Sequence, residues 1–250
     1  MSPDPLARFR RTSRPRVFGH RGASSRAPEN TLAAFALALE EGADGIELDA
    51  RRCATGEVVV IHDPTLARTA GDQRAVCEVP FSELRRLDVG AGERVPLLDD
   101  VLDLVVGRGR LVHLEVKSDA EDRMLLAQRV AATLARRSAA DRAAIALSSF
   151  DPRTLWALRR ERVEMPLLLL CENTRVGRVL GGVFPPMFRA AGINPEHVLV
   201  SQAAVRRWRA MKLLVTTWTV DGAPSVRRLA ALGVDGLITN DPAGTLAALA

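Results

Sequence analysis

Two pairs of charged residues stand where apolar strands should end. Glu47 and Asp49 are two apart in GIELDA, and Glu115 and Lys117 are two apart in VHLEVK. Residues i and i+2 of a strand face the same side, so each pair points one way. Burying a carboxylate inside a sheet is costly unless it is paired or bound to a metal. Glu47, Asp49 and Glu115 together offer oxygen ligands only, a set that favours one hard divalent cation, Mg²⁺ or Ca²⁺. Without an ion, like charges this close would raise one another's pKa. His20 and Arg21 follow the apolar RVFG, and His62 with Asp63 ends EVVVI. His20 and His62 can exchange protons near neutral pH as an acid/base pair. Arg21 and Lys117 add fixed positive charge suited to anionic phosphoryl oxygens. Each pair alone also fits a solvated strand end or a local ion pair. Four such pairs of complementary chemistry point instead to phosphodiester cleavage.

These residues need a scaffold that brings distant strand ends together. Strand-like runs occur at 16–20, 44–50, 110–117, 143–150, 166–170, 197–201, 213–220 and 235–240, alternating with helical segments. The run at 57–63 reads as a hairpin arm outside this count, and 64–96 as a less regular excursion after the second strand. Asp151 with Pro152 signals a helix start, and Gly233 a helix end. Strands alternating with helices favour right-handed βαβ units and a parallel sheet. Eight units predict a single-domain α/β fold, a TIM-type (β/α)₈ barrel, with the chemistry at the C-terminal ends of its strands. The rival open sheet would need a glycine-rich phosphate loop, and the sequence has neither G-x-G-x-x-G nor G-x-x-x-x-G-K-[ST]. His113, on the face of Glu115, is expected one layer down, where it either orients Glu115 or fills the core. His197 is placed at the entry of the sixth strand, at 197–201, and Phe150 and Trp156 are read as packing residues.

Composition narrows the classes further. The 250 residues are 47% hydrophobic and 26% charged, the balance of a folded globular protein. No apolar run approaches the ~20 residues of a spanning helix, so no integral membrane segment is expected. Tyrosine is absent and aromatics make up 4%, which argues against a base-stacking platform. The net charge of +5 comes mostly from residues 1–16, where five arginines face one aspartate. Residues 1–15 therefore read as a flexible basic tail, residues 16–250 as the barrel domain, and no nucleic-acid partner is expected. The tail lacks the apolar stretch of a secretory signal. The widely spaced Cys53, Cys77 and Cys171 form no disulfide framework, which suits the cytoplasm. The oligomeric state is not readable from these features.

The ordered motifs resemble the glycerophosphodiester phosphodiesterase family. HRGASSRAPENTLAAF (20–35) is similar to its HRG…PENT…AF opening, and GIELDARRCATGEVVVIHDPTLARTAG (45–71) to its E-x-D and V-x-H-D-x-x-L-x-R-T-x-G elements. VPLLDDVL (95–102), HLEVK (113–117), SSFDPRTLWALR (148–159) and TTWTVD (216–221) extend the likeness. The resemblance implies a TIM-type barrel that hydrolyses glycerophosphodiesters to sn-glycerol 3-phosphate and an alcohol. By position it implies Glu47, Asp49 and Glu115 as metal ligands, His20 and His62 as the acid/base pair, and Arg21 and Lys117 at the phosphate. It further implies that Glu29 holds the site or touches the glycerol, and that Trp218 walls the glycerol moiety. Asn30 and Thr31 read as a turn and a helix cap. Two departures stand out: Asp221 where the family commonly has Asn, and Asn240 where it commonly has Asp. A lysophospholipid substrate is the nearest alternative, kept open by the apolar VLGGVFPPMF (179–188). A non-catalytic phosphate-binding protein is the other.

Overall fold

A computed structural model describes residues 6–119, 122–183 and 189–250. Among these residues nine strands form: β1 (Arg16–His20), β2 (Gly45–Arg52), β3 (Val58–Val60), β4 (Leu111–Val116), β5 (Ile145–Ser149), β6 (Leu167–Cys171), β7 (Gly192–Pro195), β8 (Leu214–Thr217) and β9 (Gly236–Thr239). Eight are parallel neighbours in the order β1-β2-β4-β5-β6-β7-β8-β9, and β1 pairs with both β2 and β9, which closes the barrel. Only β3 is antiparallel; it lies against the end of β2, with Ala50 opposite Val60. The architecture is the TIM barrel expected from the strand–helix alternation.

The register explains the polar strand ends. Along β2, Ile46, Leu48 and Ala50 pack outward into the large core beneath the helices. Glu47 and Asp49 take the alternate face, toward the barrel axis. The pairing places Glu47 beside His20 of β1 and His113 of β4, and Asp49 beside Glu115. The lower interior is apolar, built from Phe18, Leu111, Ala146, Leu168, Leu214 and Ile238. Polarity thus rises along the axis, and charge collects at the C-terminal mouth.

Two expectations are corrected. The strand expected at 197–201 is instead β7, Gly192–Pro195, and His197–Leu199 is a 3₁₀ turn after it. His197 therefore follows the strand, with its backbone N–H donating to the Trp218 carbonyl. The N-terminal segment is not a free tail from residue 6 onward. Phe9 is fully buried and Leu6 nearly so, and both join the interior cluster with Phe18. The Phe9 ring stacks on Phe18 with centroids 6.4 Å apart and meets His113 edge-on at 5.4 Å. The arginines fasten this plug: Arg14 and Arg16 bind Asp44 at 2.6 and 3.0 Å, where β2 begins. Residues 1–5 lie outside the described residues.

Candidate active site

Local structure at the mouth is set by short, strained connections. After β1 the chain turns through Arg21 (φ 55°) and Gly22 (φ 88°). A Cβ on Gly22 would sit 2.5 Å from the Ala34 backbone, so only glycine fits there. The Arg21 N–H donates to the Glu47 carbonyl at 3.0 Å and to Glu47 Oε2 at 3.2 Å. Asn30, also left-handed at φ 58°, donates from Nδ2 to Asp49 Oδ2 at 2.8 Å. It is more than a turn residue, because it holds a site carboxylate. Thr31 caps the following helix as expected, accepting from the Ala34 N–H.

Glu47, Asp49 and Glu115 come together as the alternation predicted. One oxygen of each lies within 4.8 Å of the others, and all three are buried. The donor set is entirely oxygen, which suits a hard cation, and its charge is incompletely balanced. Burial raises the Glu115 carboxyl to about 7, with Asp49 adding repulsion. Burial, then Asp49 and Glu115, raise Glu47 well above the usual range. Asp49 goes the other way: burial opposes its ionisation, but Lys117 and Arg21 hold it well below normal. Lys117 Nζ lies 3.1 Å from Asp49 Oδ1 and 3.0 Å from Glu115 Oε1, and Arg21 Nε lies 3.3 Å from Asp49 Oδ2. Two carboxyls resisting ionisation beside a third is the charge conflict that a divalent ion would relieve.

A cavity of about 260 Å³ opens over this cluster, lined by His20, Arg21, Glu47, His62 and Glu115. Phe150, Leu170, Trp218 and Ile238 add apolar surface to the same lining. Phe150 and Trp218 meet edge-to-face at 5.5 Å, so Phe150 is a cavity wall and not the packing residue expected. Trp156 is not core either: it is 55% exposed, with Arg160 over its ring. Lys117 and Asp49 are buried and not among the residues that line the cavity. Glu29 does not reach this cavity. It accepts from Arg21 at 2.9 Å and from both terminal nitrogens of Arg68 at 2.9 and 2.7 Å, so it braces Arg21.

The two histidines differ in what stands behind them. His62 Nδ1 pairs with Asp63 Oδ1 at 2.7 Å. Asp63 also accepts from Arg68, which overcomes burial and holds its carboxyl down at about 2. His20 Nδ1 pairs with the Asn240 amide oxygen at 2.7 Å, and its Nε2 lies 4.0 Å from Glu47. Burial lowers both imidazoles; Arg21 lowers His20 further, and Asp49 partly offsets the effect at His62. His113 is fully buried, bonded to Asn194 at 3.5 Å and set edge-on to Phe18 at 4.4 Å. It fills the core and makes no hydrogen bond to Glu115 among those described. Asn240, Asp221, Asp63 and Arg68 were not foreseen as supports. For Asp63 and Arg68 the only signal was their place in the HD…R-T motif.

The chain's likeness to known proteins agrees with this geometry. Residues 20–244 match the model of the Glycerophosphoryl diester phosphodiesterase family. The glycerophosphodiester phosphodiesterase of Caldanaerobacter subterraneus subsp. tengcongensis is 32% identical over 233 residues, covering 90% of this chain and 94% of that protein. A crystal structure from Silicibacter pomeroyi, provisionally named a glycerophosphoryl diester phosphodiesterase, superposes with TM-score 0.89 at 30% identity, covering 98% of this chain and 96% of the other. An Oleispira antarctica phosphodiesterase in complex with the product sn-glycerol-3-phosphate shares the fold with TM-score 0.85 at 23% identity, covering 94% and 97%. A closed barrel with its carboxylates and histidines on one cavity, matched along nearly its whole length, makes this chain an enzyme of the glycerophosphoryl diester phosphodiesterase family.

Proposed function

We propose that the chain hydrolyses glycerophosphodiesters to sn-glycerol 3-phosphate and an alcohol, with one divalent cation and two histidines. The observation that carries this reading is the shared cavity. Both imidazoles, Arg21 and two of the three clustered carboxylates line it, together with apolar Phe150, Leu170, Trp218 and Ile238. Glu47, Asp49 and Glu115 would hold Mg²⁺ or Ca²⁺, which when bound supplies positive charge to the phosphoryl oxygens. Arg21 faces the phosphate from the cavity, and Lys117 adds positive charge from behind the carboxylates. The glycerol backbone packs on Trp218 and Phe150. His62, backed by the Asp63 carboxylate, is the better seat for a proton and protonates the departing alcohol oxygen. His20, backed by a neutral amide, keeps Nε2 free and takes the proton of the nucleophile.

Product release tests this directly. Purified protein should release sn-glycerol 3-phosphate from glycerophosphocholine or glycerophosphoethanolamine, as followed by ³¹P NMR. EDTA should abolish release, and Mg²⁺ or Ca²⁺ should restore it. His20→Ala and His62→Ala should each cut turnover by roughly 100-fold or more with the melting temperature retained. Near-wild-type turnover in either variant would remove that histidine from the chemistry. One observation favours a lysophospholipid as second substrate: Val176 and Val179 stand 67% and 53% exposed on the helix that follows β6. Residues 184–188 of the apolar stretch lie outside the described residues. Lysophosphatidylcholine in the same panel decides between the substrates. Cytoplasmic placement rests on the free thiols of Cys53 and Cys171; no helix among the described residues is long and apolar enough to cross a membrane.

A further inference from the structure

The two departures from the family pattern face each other. Asn240 Nδ2 donates to Asp221 Oδ2 at 2.7 Å, and the Asn240 backbone N–H donates to Asp221 Oδ1 at 3.0 Å. Thr239 Oγ1 donates to the same Oδ1 at 3.0 Å, so that oxygen is committed. Where the family pattern reads Asn then Asp, this chain reads Asp then Asn: the pair is kept and its members are exchanged.

We propose that Asp221 and Asn240 are positioning residues that fix which ring nitrogen of His20 carries the proton. Donors and acceptors dictate the orientation of each group in turn. The Asp221 carboxylate only accepts, so it takes the NH₂ of Asn240 and turns the amide oxygen toward His20. Ser24 Oγ, 2.9 Å from that oxygen, donates to it as well. An oxygen facing Nδ1 at 2.7 Å requires Nδ1 to be the donor. Nε2 is then unprotonated and faces the cavity, as a proton acceptor must. The relay therefore selects the tautomer from a side chain that touches neither substrate nor cation. Its catalytic meaning rests on the proposed role of His20, whereas the tautomer itself does not.

Substitution at Asp221 reads out this polarity. In Asp221→Asn, Oδ1 stays committed to Thr239 and the Asn240 backbone, so the new NH₂ faces the NH₂ of Asn240. The amide of Asn240 must flip, offering its own NH₂ to His20 Nδ1. Nδ1 then accepts, and the proton moves to Nε2. In the double variant D221N/N240D, the amide introduced at position 221 donates to the carboxylate introduced at position 240. That carboxylate accepts again from His20 Nδ1–H and from Ser24. Every contact survives, with one donor and one acceptor interchanged.

The experiment combines ¹⁵N NMR of the histidine rings with steady-state kinetics on glycerophosphocholine. Wild type is expected to show the Nδ1–H tautomer at His20. Asp221→Asn should show Nε2–H, with kcat lowered about 100-fold and KM little changed. The double variant should recover the Nδ1–H tautomer and most of kcat. A wild-type tautomer in Asp221→Asn, or a double variant no better than the single, would overturn the proposal. Should Asp221→Asn fail to fold, Asn240→Ala takes its place. It removes the acceptor, so a His20 tautomer as strongly biased as in wild type would equally overturn it. If wild-type protein releases no sn-glycerol 3-phosphate, the functional reading fails, while the ring tautomers still decide the relay.

Discussion

The hydrogen bond from His62 Nδ1 to Asp63 leaves Nε2 facing the cavity, and Arg68 keeps Asp63 ionised. Asp63→Asn would replace a carboxylate by a neutral amide at that contact and weaken the protonated imidazole. Turnover is expected to fall by roughly 100-fold at an unchanged melting temperature; wild-type kcat in this variant would remove Asp63 from the account. His113 makes a separate prediction. Burial pushes its pKa down to about 3, from an ordinary value of 6.5. The folded chain therefore binds fewer protons there than the unfolded chain between those pH values, and stability is lost as pH falls through that window. Urea unfolding at pH 6 and pH 4 should show wild type losing up to about 1.4 kcal/mol per pH unit more than His113→Leu. Parallel pH dependences would contradict it. At this scale the carboxylates and histidines were legible because charge inside an apolar strand is conspicuous. Asn240 and Asp221 are ordinary loop residues until barrel closure sets them beside His20, so only their departure from the family pattern marked them.

Among the elements, the strands that carry site residues were read closely, since IELD and HLEV keep strict alternation. β7 is displaced from the expected 197–201 because HVLVS has higher strand propensity than GINP. Registers with β6 and β8, which no local pattern encodes, place GINP in the barrel. Arginines hid the N-terminal plug in the same way. Leu6 and Phe9 are two apolar residues in a basic segment, and their burial depends on a barrel floor that forms from strands far along the chain. Deleting a fully buried phenylalanine ring costs about 3–5 kcal/mol. Phe9→Ala should lower unfolding free energy by about that amount in urea titration while leaving kcat nearly unchanged at 25 °C, because the plug lies at the end of the barrel opposite the mouth. A loss under about 1 kcal/mol would mean the segment is not docked.

For the molecule as a whole, the barrel converts sequence separation into proximity. Glu47 and Glu115 come from strands with residues 53–110 between them, yet share a site with one oxygen of each within 4.8 Å. With Glu115 raised to about 7 and Glu47 raised as well, a cation must displace protons to bind below neutrality. Cation affinity should therefore rise with pH through about 7, by up to about tenfold per unit for each proton displaced. An affinity flat from pH 6 to pH 8 would show that the carboxyls ionise normally.

Isothermal titration calorimetry of metal-depleted protein with Mg²⁺ and with Ca²⁺ tests the three-carboxylate centre most directly. One ion per chain should bind to wild type, and binding should be lost or weakened at least about tenfold, roughly 1.4 kcal/mol, in Glu47→Gln, Asp49→Asn and Glu115→Gln. Equal binding by wild type and all three variants, or no binding of either ion by wild type, would contradict the account.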